Sequence, residues 1–368
     1  MFEETAIGID VGHGYVKAIN TKGERIIFPS VVSRRVPSVM AKDDGFQELL
    51  EGESQDLNIK NLKLIYSPEG QKEEYFVGVK ALLSDVNTEL VLSDDKFLDR
   101  EELLKALVAV ALLTDTKTPA VKIGIGLPVA KYDGYKDSLK EMFKGSHLIT
   151  LLDMGSGNYL EKEITINDLV ILQQSLATLY DYILNDDGSV ERSRMLELKG
   201  KVGIIDLGTR TTDVVLVEDS ILNENFSYTL DEGMAEVLKA VTYRIQSQLK
   251  LPVIKNSAQI EKIFSQRQGI YHYQGREYDL NPIFQEEVSF VADQILVSIK
   301  SEWKDHFNEL SCTLLGGGGS KVFKEYFLNR FYNLRELEEP QFANACGYLK
   351  TLKAKNRKNR YEDVAQKI

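Results

Sequence analysis

Asp10 and Asp206 each close an apolar, β-prone run and stand two residues ahead of a glycine, in IGIDVGHGYVK (Ile7 to Lys17) and GIIDLGTRTTD (Gly203 to Asp213). In both stretches a charged residue, Lys17 or Asp213, follows seven positions after the aspartate. Small residues at such a turn leave backbone N–H groups bare for a bound anion, and an aspartate at the strand end can hold a hydrated cation. One Asp-x-Gly turn is an ordinary hairpin, but two at matched spacing form a constellation. Two carboxylates would repel a polyphosphate unless a divalent ion lay between, so Asp10 and Asp206 together imply Mg²⁺. Lys17 is placed to reach a phosphate oxygen. Asp213 can be a structural group or cap, or it can serve the metal.

A second candidate lies at Leu314 to Lys321, LLGGGGSK. A flexible linker would have polar flanks, whereas these glycines follow the apolar run SCTLL and precede the amphipathic SKVFKEYFLNRF. Strand, glycines and helix N-terminus make a surface on which a ligand can approach the backbone closely, with Ser320 expected as the N-cap. No G-x-x-x-x-G-K-[ST] phosphate loop occurs, and G-x-G-x-x-G fails because Lys17 stands where the third glycine belongs.

These residues need a frame to hold them. Thr5 to Asn20 has the turn chemistry of a hairpin, and the β-prone ERIIFPSVVS, Glu24 to Ser33, is interrupted by Pro29. Residues 40 to 70 are polar and Gly-dotted, expected as loops and edge strands ahead of a strand near Glu74 to Val79. Asp99 to Leu113 predicts a helix behind an acidic first turn, and VKIGIGLPV after Pro119 predicts a strand. Asp133 to Lys144 reads as a helix, and Ile164 to Gln173 as one or two strands leading into a helix over Ser175 to Leu184. From Lys201 the opening design repeats: apolar strand, Asp-x-Gly turn, apolar strand. Helices are expected over Gly233 to Leu249 and Ile283 to Phe307, and a short strand over Ser311 to Leu315. The alternation is α/β, and one repeat at half the chain length predicts two related domains with a boundary near 165 to 175. The stretch from Leu349 on is polar and first basic, expected as a solvated surface helix or a partly disordered tail.

A chain of 368 residues with 43% hydrophobic and 27% charged residues has the balance of a soluble globular protein of two domains. The net charge of -11 invites neither nucleic acid nor an anionic membrane surface. Cys312 and Cys346 are the two cysteines, without C-x-x-C spacing, so a reducing cytoplasm fits best. MFEETAIGID is acidic where a signal peptide is basic, and no window approaches about eighteen uninterrupted apolar residues, so a soluble, unexported protein is expected. His147, His272 and His306 lack metal-ligand spacing and read as ordinary core or surface residues.

Taken together, the motifs resemble the actin-like ATPase superfamily, most closely the plasmid-segregation actins of the ParM and Alp type and their archaeal relatives. IGIDVGHGYVKAIN is similar to the first phosphate motif of that family, VGIIDLGTRTTDVVLV to the second, LLGGGGSK to its adenosine motif and NACGY (Asn344 to Tyr348) to its connecting motif. FPSVV, YFVGVKAL and IGLPV resemble smaller signatures of the ParM-type first domain. The resemblance implies a duplicated, ribonuclease H-like fold of two domains around a nucleotide cleft, residues 1–168 and 169–346, with a C-terminal helix of about 347–368 returning to the first. It implies Asp10 and Asp206 as ligands of the Mg²⁺ waters. Gly12, His13, Gly14 and Lys17 would hold the β- and γ-phosphates, and Gly208, Thr209 and Thr211 would hold them from the other side. Gly316, Gly317 and Gly318 would pack on adenosine, and Glu236 or Lys239 would touch ribose or base. Gln174, with Gln173 as the alternative, would orient the attacking water. Thr209 and Arg210 depart from the small residues common after the second Asp-x-Gly, and Gln173 stands where a proline is frequent.

The implied function is ATP (or GTP) hydrolysis with Mg²⁺, coupled to the assembly and disassembly of filaments in the cytoplasm for plasmid partition. DNA would be met through a ParR-like adaptor rather than directly, and no membrane is involved. A small-molecule kinase on the same fold would need an aspartate base that the sequence does not display. A chaperone-type or regulatory ATPase that does not polymerise would need a partner to supply a substrate-binding domain.

Overall fold

The computed structural model describes residues 5–34, 57–84, 100–128, 131–219, 221–249, 251, 257–331 and 333–365. The expected loops and edge strands before residue 57 lie outside them. Two compact units emerge, the first running to Met195 and resuming at Phe342, the second spanning Leu196 to Gln341.

In the first unit β1 (Thr5–Val11), β2 (Tyr15–Asn20) and β3 (Arg25–Pro29) form an antiparallel meander, with β4 (Val32–Ser33) beyond Pro29. Next come β5 (Leu62–Tyr66), β6 (Glu73–Val77), α1 (Val79–Ser84), α2 (Arg100–Leu112) and β7 (Ala120–Leu127). They are followed by α3 (Tyr132–Phe143), β8 (Gly145–Asp153), β9 (Tyr159–Gln173) and α4 (Gln174–Ile183). Among the described residues nine strands make one sheet, ordered β3-β2-β1-β7-β9-β8-β5-β6-β4, with β1, β7 and β9 mutually parallel. Helix α2 is buried from Glu102 to Ala111 because LLKALVAVA is apolar on nearly every side, as suits a helix in the core.

After α5 (Arg192–Glu197) the second unit repeats the plan with β10 (Lys201–Leu207), β11 (Thr212–Glu218) and β12 (Ile221–Leu230). Helices α6 (Met234–Gln248) and α7 (Ser257–Arg267), the hairpin β13 (Ile270–Tyr273) and β14 (Arg276–Asp279), and helices α8 (Asn281–Trp303) and α9 (Asp305–Asn308) follow. The sheet is completed by β15 (Leu310–Gly316), α10 (Ser320–Phe327) and β16 (Leu334–Glu336), in the order β12-β11-β10-β15-β16 with β10, β15 and β16 parallel. The first five strands of the larger sheet have the same order and directions, so the repeat seen in two turns extends to a whole sheet.

The last helix, α11 (Ala343–Ala365), belongs to the first unit. Its residues Ala345, Tyr348, Leu349 and Leu352 are buried, and β1 and β7 admit it only because they carry glycines. A Cβ at Gly8 would lie 2.0 Å from the Ala345 carbonyl oxygen, and one at Gly124 would lie 2.9 Å from that of Tyr348. From Leu349 to Ala365 the chain is helix, and three of its basic residues are matched within the unit: Lys350 with Asp181 at 2.7 Å, Lys355 with Asp168 at 3.4 Å, and Arg357 with Asp187.

The compact units also divide later than the expected 165 to 175. Strand β9 is one 15-residue strand inside the first sheet, and α4 buries Ser175, Ala177, Thr178 and Leu179. The chain leaves the first unit only after that helix.

Candidate functional site

Register puts Asp10 directly opposite Lys17 across the first hairpin, and their side chains form a part-buried ion pair at 2.9 Å. The turn is closed by the Gly12 N–H donating to the Tyr15 carbonyl at 3.1 Å and braced by the Ser30 N–H donating to the Gly14 carbonyl at 2.9 Å. A Cβ on Gly12 would lie 3.0 Å from the Tyr15 oxygen and 3.4 Å from Lys17 Nζ, so any side chain there would crowd the ion pair. His13 is half-buried at the tip.

Because β1, β7 and β9 are parallel, their carboxyl ends emerge on one edge, where open α/β sheets bind ligands. Asp10 is on that edge. So are Gln173, which pairs with Leu127 in the last rung between β7 and β9, and Gln174, which opens α4. Both glutamines are half-buried, and the first turn of α4 has no side-chain cap.

In the second unit Asp206 and Asp213 occupy the register positions that Asp10 and Lys17 occupy in the first, and both are buried. Asp213 Oδ1 accepts a hydrogen bond from Thr229 Oγ1 of β12 at 2.6 Å, which gives it a structural partner. The Gly208 N–H donates to the Thr211 carbonyl at 2.8 Å, closing the turn that carries Thr209 and Arg210. That turn straps down the start of α6: the Met234 and Ala235 N–H groups donate to the Gly208 and Thr209 carbonyls at 3.3 and 2.7 Å. Gly233 permits the approach, since a Cβ there would lie 2.9 Å from the Thr209 oxygen. Glu236 and Lys239 then fall on the first turns of α6, exposed and paired with each other at 3.0 Å.

Gly316 ends β15 opposite Asp206 on the parallel neighbour. Gly317 adopts a left-handed φ of 85°, donates its N–H to the Pro340 carbonyl at 2.9 Å, and packs so closely that a Cβ would lie 2.3 Å from the Leu207 oxygen and 2.4 Å from Asp206 Oδ1. Gly319 donates to the Leu207 carbonyl at 2.9 Å. Gly318 alone of the four is exposed, and a Cβ added there would meet nothing nearer than Gln341 Cγ at 3.8 Å. The quartet is thus a pinned strand-to-helix junction with one open face. Ser320 is not the cap: Gly319 takes that position, and the Ser320 hydroxyl is buried inside the first turn without a hydrogen-bond partner.

The other three histidines have partners away from these turns. His147 is buried between the Tyr66 hydroxyl at 3.2 Å and the Phe143 carbonyl at 3.0 Å, and burial pulls its pKa below the usual value. His272 meets Glu277 across a surface hairpin at 3.3 Å, and the ring of His306 packs on Phe226. Sequence reasoning missed the braces Ser30 and Thr229: Ser30 lies in the quoted FPSVV but its backbone bond to Gly14 is set by the fold, and Thr229 reaches Asp213 from the neighbouring strand β12.

A duplicated α/β unit, each copy carrying a buried aspartate at the carboxyl end of its first strand and a glycine turn beyond it, defines the actin-like class. The family of actin-like protein N-terminal domains matches residues 8–176, and that of the C-terminal domain of archaeal MreB-like actin homologues matches residues 204–329. The chain belongs to the actin-like proteins. It is 25% identical over 357 residues to an archaeal actin homologue of Thermoplasma acidophilum, covering 93% of this chain and 97% of that one. A ParM in a 15-stranded filament from Clostridium botulinum is similar with a TM-score of 0.73 at 24% identity, covering 95% of this chain and 99% of that one. An archaeal actin homologue in complex with ADP is similar with a TM-score of 0.69 at 17% identity, with the same coverage. Among the described residues no helix is long and apolar enough to cross a membrane.

Proposed function

We propose that the protein binds ATP with Mg²⁺, hydrolyses it slowly and assembles into filaments in a nucleotide-dependent way. The observation that carries this reading is the recurrence, at the carboxyl edge of both sheets, of a buried aspartate closing a glycine hairpin at the same register position. The ADP complex of one archaeal actin homologue and the filament of a ParM support it.

Asp10 and Asp206 suit a Mg²⁺ that keeps its waters, since each is a buried carboxylate beside backbone bared by glycine. When bound, the ion would neutralise charge on the phosphate oxygens. Lys17 already compensates the buried Asp10 and can hand its charge to a phosphate oxygen. The turns of Gly12, His13 and Gly14, and of Gly208, Thr209 and Thr211, take the β- and γ-phosphates: the N–H groups of Gly12 and Gly208 are spent closing the turns, and their missing side chains leave the room for the phosphate. Gly316, Gly317 and Gly318 take the adenosine on the open face at Gly318, and Glu236 or Lys239 meets ribose or base. Gln174, or Gln173 beside it, orients the attacking water. An amide is no base, so turnover rests on positioning and charge and is slow.

The cellular role proposed is plasmid DNA segregation in the cytoplasm, with DNA reached through an adaptor protein, in keeping with a net charge of -11. Pelleting, light scattering and electron microscopy with ATP, ADP and a non-hydrolysable analogue test the reading. Filaments with ATP that shorten as phosphate is released are expected, and Asp206→Asn should abolish the release. No polymer at high concentration with any nucleotide, or no nucleotide binding, would overturn it.

A further inference from the structure

We propose that Thr178 and Asn344 are positioning residues for hydrolysis, holding α4 at the rotation that presents Gln174 to the attacking water; this rests on the reading of Gln174 given above. Gln174 is the first residue of α4, and Thr178 lies one turn on, at i+4, on the same face. The Thr178 hydroxyl donates to Asn344 Oδ1 of α11 at 3.1 Å, with Thr178 wholly buried and Asn344 buried beside it. One position back, the Ala177 carbonyl packs on Gly347, where a Cβ would lie 2.0 Å from its oxygen. One turn further, Lys350 Nζ donates to the Asp181 carboxylate at 2.7 Å and to the Asp181 carbonyl at 2.8 Å. The three contacts clamp one helix against the other.

Only the first of the three is both directional and next to Gln174. Among the described residues, Gln173 makes no capping bond at that first turn, and the Ser175 hydroxyl is buried without a partner. The packing of Ala177 on Gly347 sets the distance between the helices. A hydroxyl donating to an amide oxygen loses its geometry when the helix turns. Side-chain ends stand about 5–6 Å from a helix axis, so a rotation of roughly 10° moves the glutamine amide by about 1 Å. A misplacement of about 1 Å is enough to cost on the order of 100-fold in rate.

The test compares Thr178→Val, which keeps the shape and removes the donor, with Thr178→Ser, which keeps the donor, and with Asn344→Ala and Gln174→Ala. Phosphate release is measured at equal polymer mass, ADP affinity by titration, and folding by thermal melting. Thr178→Val and Asn344→Ala should lower kcat at least tenfold with KM and ADP affinity within about twofold, while Thr178→Ser stays near the parent. In the double variant Gln174→Ala, Thr178→Val the second change should add nothing, because Thr178 acts through Gln174. Equal losses in Thr178→Ser and Thr178→Val would reduce the contact to packing and overturn the proposal. So would a Thr178→Val effect that adds in full to that of Gln174→Ala. An inactive Gln174→Ala beside a fully active Thr178→Val sinks this proposal alone; a fully active Gln174→Ala sinks the assigned role of Gln174 and this proposal with it.

Discussion

Gly317 and Gly318 are adjacent, yet substitution should act on them through different physics. At Gly317 an alanine meets a φ of 85°, which costs a non-glycine residue about 1–3 kcal/mol. Its Cβ would also lie 2.3 Å from the Leu207 oxygen and 2.4 Å from Asp206 Oδ1. Leu207 cannot yield freely, because the same carbonyl accepts from the Gly319 N–H at 2.9 Å, and losing that bond costs about another 1 kcal/mol. Gly317→Ala is therefore expected to lose roughly 2–4 kcal/mol of the roughly 5–15 kcal/mol that holds a domain, seen as a lower urea midpoint for the second unit. Gly318→Val meets no such barrier: the position is exposed, its φ is outside the left-handed region, and the nearest atom is Gln341 Cγ at 3.8 Å. Its stability should stay within about 0.5 kcal/mol. If adenosine lies on this face, ATP affinity should still fall at least tenfold, about 1.4 kcal/mol, in a fluorescent-nucleotide titration. A Gly318→Val protein that binds ATP like the parent would refute the adenosine wall, and a Gly317→Ala protein of unchanged stability would refute the packing argument.

Two further outcomes follow from burial. His147 is held neutral because burial outweighs the pull of the Phe143 carbonyl, so its folded pKa lies below the ordinary 6.5. Its contribution to stability is complete above about pH 6.5 and is lost as pH falls toward the depressed folded value, so the urea midpoint should drop between pH 7.5 and 5.5 less steeply in His147→Gln. Burial pushes the Cys312 thiol up to about 11 and the Cys346 thiol up to about 12, so neither should react with a thiol reagent at pH 8 until denaturant is added, when both should.

The hairpins around Asp10 and Asp206 were legible because turn chemistry is local: a strand-ending aspartate and a glycine two residues later are enough to fold the chain back. The helices over Arg100–Leu112 and Met234–Gln248 were legible from their spacing. Strands β8 and β12 were not. GSHLITLLD and ILNENFSYTL alternate only in part, and each is held as a strand by its pairing with a neighbour. The basic run of α11 is the helix expected, with Lys355 and Arg357 solvated as read, but Lys350 is not: Asp181, some 170 positions away, comes up beside it and both are largely buried.

By itself the sequence determined the residue types of the candidate site and the repeat that pairs them, because both are written in short spacings. Tertiary structure alone decided what each of those residues meets. It set Lys17 against Asp10, gave Asp213 a structural partner in Thr229, moved the helix cap from Ser320 to Gly319, and left Gly318 as the bare face of a pinned quartet. Those outcomes depend on which strand lies next to which and at what register. No spacing along the chain records that, since the partners are brought together only when the apolar faces of sheets and helices bury each other.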